Sequence, residues 1–266
     1  MSITVGSLFS GIGGLDLGLE QAGMKTVWQV EFDDWARGKL DENFPHTEKF
    51  KDVREVGKHN LRPVDLIAGG FPCQDLSIAN LKGLGLAGER SGLWREYLRI
   101  IRELLPRYIF IENVSALLTD GLDRLLCDLA ACGYDAEWQI IRATAFGLPH
   151  QRKRLFVIAY PEGDRLLQDE VFKGNRYQNH FPASVSRGQP LLHFDVIGCS
   201  YPQIPEHLRM DDGLSFELSE IEAAIKGYGN AVCPPVARWI GERIVEFDER
   251  CRQNKAIKAS EETVEE

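Results

Sequence analysis

Through the first 160 residues the apolar side chains alternate between two periods, and this restricts the fold more than any other feature of the chain. Short continuous apolar runs suit buried strands at 3–8, 26–30, 50–53, 64–68, 108–111, 138–141 and 155–160. Between them lie segments with helical spacing at 15–21, 34–43, 93–105 and 122–132. In the third of these, Leu93, Trp94, Tyr97, Leu98, Ile101, Leu104 and Leu105 form the apolar stripe, with Arg95, Arg99 and Arg102 off it. The alternation predicts a doubly wound α/β sheet. It stops near residue 160. Residues 161–215 are polar and aperiodic and predict a small irregular region. Helical spacing returns at 216–225 and 234–250, and the charged tail, 251–266, is expected to fray. Residues 71–92 are rich in glycine, lack periodicity and read as a long mobile loop. The predicted organisation is a 1–160 domain, a 161–215 appendage, helices at 216–250 that return to the domain, and the tail.

Charge must be read by segment. The chain has 266 residues, a net charge of -9 and a pI near 5.3, which argues against a surface that binds nucleic acid all over. Residues 82–154, however, hold 11 basic and 9 acidic side chains, while the segments on either side are net negative. That stretch is either an ordinary solvated face or one phosphate-facing groove on an acidic body. No apolar run approaches the roughly eighteen residues of a membrane helix. The first residues, MSITVGSLFSGIGG, lack the features of a signal peptide. The six cysteines form no CxxC pair, so no zinc or other metal site is expected, and a reducing cytoplasm is the expected compartment.

Four segments carry potential chemistry. Phe9-Ser10-Gly11-Ile12-Gly13-Gly14 joins a strand to a helix, where glycines admit a close ligand and the helix offers free N–H groups. Glu31 ends the next strand, where a carboxylate can accept hydrogen bonds from a ribose. A plain tight turn fits the same residues, and Asp16 stands where the dinucleotide fingerprint needs glycine. Gly69-Gly70-Phe71-Pro72-Cys73 ends another strand. A lone cysteine is most often a buried apolar residue, but this one sits in a Gly/Pro turn at the mouth of the sheet. Glu112 ends the next apolar strand, where desolvation could raise its pKa and make it a proton donor; a helix cap or surface acid is the plainer alternative. Gln151-Arg152-Lys153-Arg154 precedes the last strand and also reads as a solvated basic turn.

In order, LFSGIGGLDLGLE (8–20), VEFD (30–33), DV (52–53), GGFPCQDLS (69–77), ENV (112–114), QRKR (151–154) and GYGNAVCPPVA (227–237) resemble the motifs of the DNA (cytosine-5) methyltransferase family. The resemblance spans about 3–250, and the combination is highly specific. It implies a Rossmann-like methyltransferase sheet with a small target-recognition region, and S-adenosylmethionine as cofactor, leaving S-adenosylhomocysteine.

The resemblance also assigns roles. Cys73 is the implied nucleophile toward C6 of a flipped-out cytosine, which activates C5. Glu112 would contact N3 and the exocyclic amine, Arg154 the base's O2 or the surroundings of the cysteine, and Arg152 a phosphate or the same pocket. Phe9, Gly11, Ile12, Gly13, Gly14, Glu31, Phe32, Asp52, Val53, Pro72, Asn230 and Val232 would form the cofactor site. Phe9 would lie on or near the adenine, Asp52 would contact its amine and Val53 would pack on its ring. Ser77, Arg90 and Ser91, with Arg165, Arg176 and Arg209 from the 161–215 region, are implied DNA contacts. The implied partner is double-stranded DNA, with or without a cognate restriction endonuclease, and the implied state is a cytoplasmic monomer. The arginine motif departs from the family in having His150 after Pro149, and the recognition region is short. Three alternatives compete: an RNA-directed relative, a catalytically silent DNA-binding homologue and a Rossmann-type oxidoreductase. The first lacks the expected Cys-Phe-Thr tripeptide. Retention of Cys73, Glu112 and Arg154 opposes the second, and the glycine pattern and the Pro-Cys turn oppose the third.

Overall fold

The computed structural model describes residues 2–72, 92–119, 121–148, 152–161, 227 and 230–262. Several predicted features lie outside the described residues: Cys73, Ser77, Arg90, Ser91, His150, Gln151, Arg165, Arg176, Arg209, nearly all of the 71–92 loop, the 161–215 region bar Pro161, and the 216–225 helix.

The strands are β1 (Thr4–Leu8), β2 (Lys25–Val30), β3 (Glu48–Phe50), β4 (Leu66–Gly69), β5 (Tyr108–Val114), β6 (Tyr134–Arg142) and β7 (Lys153–Pro161). The helices are α1 (Gly14–Gln21), α2 (Asp34–Asn43), α3 (Gly92–Leu104), α4 (Leu122–Ala130) and α5 (Pro234–Glu262). They build one seven-stranded sheet in the order β3-β2-β1-β4-β5-β7-β6. The β1–β2, β1–β4, β2–β3 and β4–β5 pairs are parallel, while β7 runs antiparallel to both β5 and β6. The predicted α/β sheet is present, with an antiparallel β6–β7 unit at one edge.

The apolar runs are continuous because both faces of the sheet are covered. Alternate side chains of one strand enter different cores. Ile109 and Ile111 of β5 join Ile67, Val157 and the stripes of α3 and α4, including Trp94, Tyr97, Ile101 and Leu125. Tyr108 and Phe110 point the other way, into a core with Leu15 and Leu19 of α1 and Trp239, Ile240, Ile244 and Phe247 of α5. α5 thus returns the chain to the first strand's side of the sheet.

Three departures from the expected boundaries have a plain physical cause. The strand predicted at 50–53 ends at Phe50, because the Asp52 carboxylate accepts the Arg54 N–H at 2.9 Å and starts a 3-10 turn, Val53–Glu55. β6 begins at Tyr134, whose ring is buried and whose hydroxyl donates to the Pro106 carbonyl at 2.6 Å. The tail predicted to fray is instead helical to Glu262. Phe247 and Cys251 are buried, and burying a side chain such as Phe247 stabilises by about 1.5–3 kcal/mol. Beside them the buried Asp248 carboxylate accepts from the Tyr108 hydroxyl at 3.0 Å and pairs with Arg107 and Arg252. These contacts hold the helix as far as Arg252.

Candidate active site

The strand order reverses between β1 and β4, and the crevice beyond the carboxyl ends of such strands is where α/β sheets bind ligands. The ends of β1, β2, β4 and β5 deliver the glycine turn, Glu31, Gly70-Phe71-Pro72 and Glu112 to that side.

The glycine turn is built by backbone geometry. Gly11 and Gly13 have φ of 56° and 86°, and the Gly13 N–H donates to the Ser10 carbonyl at 2.9 Å. A Cβ on Gly13 would lie 2.4 Å from the Phe44 ring, so no larger residue fits. On Gly11 a Cβ would meet nothing within 4 Å, which leaves room there for a ligand. Phe9, also at positive φ (56°), directs its ring toward Tyr97, with centroids 6.3 Å apart. The Glu31 carboxylate accepts the Gly11 N–H at 2.7 Å and the Asp33 N–H at 2.8 Å. Asp33 in turn caps α2 through the N–H groups of Trp35 and Ala36. Glu31 is thereby fixed in orientation before any ligand arrives.

Beneath the turn, Asp16 is buried and accepts from Gln29 Nε2 at 3.0 Å. Burial pushes its carboxyl up to about 6, against the lowering effect of that hydrogen bond.

The remaining predicted cofactor residues arrive from two directions. Asp52 is held by Arg54, whose hydrogen bonds keep its carboxyl below the ordinary range, so an adenine amine would have to share it. Val53 is buried in the core, Phe32 is exposed beneath the Lys51 ammonium, and Pro72 is exposed. From the far end of the chain, the Val232 carbonyl lies 2.4 Å from where a Cβ on Gly14 would be. A Cβ on Gly227 would lie 2.5 Å from the Trp35 ring and 3.2 Å from Ile12 Cγ2, and Asn230 is exposed nearby in sequence. Val232 therefore lies against Gly14 of the glycine turn, and Gly227 against Ile12 and Trp35.

Glu112 is the buried carboxyl of the crevice. It lies on β5 opposite Phe156 of β7, buried, and its Oε1 lies 3.0 Å from Arg154 Nε. A Cβ on Gly70 would be 2.7 Å from Glu112 Oε2, so the glycine lets the Pro72 turn approach the carboxyl. Burial raises the Glu112 pKa to about 7, and the charges of Arg154 and Arg152 only partly offset it. Arg152, at φ 21°, and Arg154 also line a small cavity of about 10 Å³ with Ile141, Ala143, Phe156, Val232, Cys233 and Val236, roughly the size of one water. Glu112, Arg152 and Arg154 are thus brought together.

Sequence reasoning missed two supports. Asn113 Nδ2 donates to the Phe71 carbonyl at 2.9 Å, tying the Pro72 turn to β5. The other is Cys233, whose thiol faces the same arginines and is pushed up by burial. Both lie inside the quoted motifs, and only the fold shows what they touch.

The family model for C-5 cytosine-specific DNA methylase matches residues 3–188. The type II methyltransferase M.NgoFVII of Neisseria gonorrhoeae is 36% identical over 158 residues, 57% of this chain and 42% of that protein. M.Eco47II of Escherichia coli is 31% identical over 235 residues, 78% of this chain and 56% of its own length. A mutant form of Spodoptera frugiperda DNMT2 shares the fold, with a TM-score of 0.52 at 24% identity over 61% of this chain and 51% of that one. The chain spans about half the length of the curated relatives it matches. With most of the chain matched by one family model, the chain belongs to the C-5 cytosine-specific DNA methylase family.

Proposed function

We propose that the chain methylates C5 of a cytosine flipped out of duplex DNA, through a covalent bond between Cys73 and C6. The observation that carries the reading is the buried, arginine-braced Glu112 beside the Gly70–Pro72 turn that leads into Cys73. A protonated carboxyl there can donate to cytosine N3 while a thiolate adds to C6, which offsets the charge pushed into the ring. Arg154 keeps the carboxyl oriented, and Arg152 and Arg154 supply positive potential at the same place. Burial of Glu112 holds its proton to near neutral pH.

The crevice fits S-adenosylmethionine. Glu31 is pre-set to accept from a ribose, the turn leaves space at Gly11, and Val232 lies against the turn at Gly14. Bound there, the cofactor supplies an electrophilic methyl group. The cysteine sulfur bonds to C6, C5 takes the methyl group, and loss of the C5 proton with release of the sulfur restores the ring. A base inside a duplex cannot be reached this way, so the target must leave the stack. The net-positive 82–154 stretch would meet the phosphates, and the recognition residues Ser77, Arg90, Ser91, Arg165, Arg176 and Arg209 would contact DNA.

DNA carrying 5-fluorocytosine tests this directly, because fluorine cannot leave as the C5 proton does. A denaturation-resistant protein–DNA complex is expected with S-adenosylmethionine present, and none with Cys73→Ala. A complex that survives the substitution, or none on any DNA tried, would overturn the reading.

A further inference from the structure

The sequence places Arg99 off the apolar stripe of α3 and assigns it no role. The structure gives it one. Arg99 Nη2 donates to two backbone carbonyls of the turn after β3, Val53 at 3.0 Å and Val56 at 2.8 Å. The guanidinium is aimed from its own helix: Glu96 holds Nε at 2.7 Å and Glu103 holds Nη1 at 2.9 Å. Glu103 accepts the Lys58 N–H at 2.9 Å through its other oxygen, so the same face of α3 grips the segment at a third point. The approach is close. A Cβ on Gly57 would lie 2.3 Å from Glu103 Oε2 and 3.0 Å from Arg99 Nη1.

This clasp fixes the backbone of the segment that contains Asp52 and Val53. The Val53 and Val56 side chains are buried in the core, but their carbonyls belong to no strand, and one planar guanidinium serves both. Two residues earlier on α3, Tyr97 faces Phe9 of the glycine turn. The helix therefore braces two sides of the crevice, and Arg99 is the polar half of that brace.

We propose that Arg99 is a positioning residue for cofactor binding, setting Asp52 and Val53 at the adenine end of the site. The proposal rests on the cofactor reading given above for those two residues. It assigns Arg99 no contact with cofactor or DNA.

Arg99→Lys is the sharper variant, because it keeps the charge but cannot span two carbonyls and two carboxylates in one plane. Arg99→Ala and Glu103→Gln accompany it. For Arg99→Lys the dissociation constant of S-adenosylhomocysteine, measured by calorimetry, and the KM for S-adenosylmethionine should both rise about tenfold. The kcat at saturating cofactor should stay within about twofold of the parent. Glu103→Gln should shift the same two constants in the same direction by less. Folded Arg99→Lys protein with unchanged cofactor constants would overturn the proposal, as would a lower melting temperature with no change in KM. If the unsubstituted protein binds no S-adenosylhomocysteine, the cofactor reading fails first and takes this proposal with it, an outcome distinct from unchanged binding in the variant.

Discussion

Glu112→Gln is expected to lower kcat/KM for methyl transfer by about 10²–10⁴-fold, the usual worth of a positioned proton donor. The side chains are nearly isosteric, so the packing of β5 against β7 should survive. What goes is the proton, together with the charge that Arg154 balances at 3.0 Å. Cofactor affinity should change little, because Glu31 and the glycine turn lie at the ends of other strands. Because burial raises the Glu112 pKa to about 7, the donating form persists toward neutral pH. The unsubstituted enzyme should therefore lose rate as pH rises through that value, and the variant should lack that limb. Stability follows the same sign. The folded state binds this proton more tightly than the unfolded chain, so the contribution is complete below the ordinary carboxylate value of 4.5 and is lost as pH rises through about 7. Near-normal turnover in Glu112→Gln would remove the proton donor from the mechanism.

The second large effect is on folding. α1 and α5 cross with almost no side chain between them at Gly18. A Cβ there would lie 2.5 Å from both the Ala237 Cβ and the Pro234 carbonyl oxygen, and 2.8 Å from the Arg238 nitrogen. None of these can swing aside, so Gly18→Leu must push the helices apart. The expected cost is at least about 3 kcal/mol, read as a lowered urea midpoint. The shift also moves Val232 off Gly14, so S-adenosylhomocysteine binding should weaken in any protein that still folds. Gly38 in α2 is the internal control, since a Cβ there meets nothing within 4 Å. Gly38→Ala should raise stability by about 0.5–1 kcal/mol through helix propensity. Equal midpoints for the two variants would contradict the close crossing.

These two positions also mark how far sequence reasoning reaches. The order of strands and helices was legible because apolar period is a local property, and the crevice residues followed from their places at strand ends. The small-residue crossing of α1 and α5 was not legible, since Gly18 and Gly241 look like poor helix residues until the opposing backbone is known. The role of Arg99 was not legible for a similar reason. Glu96, Arg99 and Glu103 have the spacing of a solvated charged face, and only the return of the 53–58 segment makes that face an interface. The tail was misjudged because its composition is charged, whereas Cys251 is buried and Arg252 pairs with the buried Asp248. Glu112 was found by position, but its raised pKa depends on a burial that no motif spells out.

The central claim is methylation of cytosine at C5, and bisulfite sequencing of plasmid DNA from cells expressing the protein tests it most directly. The prediction is a set of protected cytosines sharing one short sequence context, absent when Cys73→Ala is expressed at the same level. Plasmid DNA with every cytosine converted, or protection that persists in the Cys73→Ala strain, would contradict it.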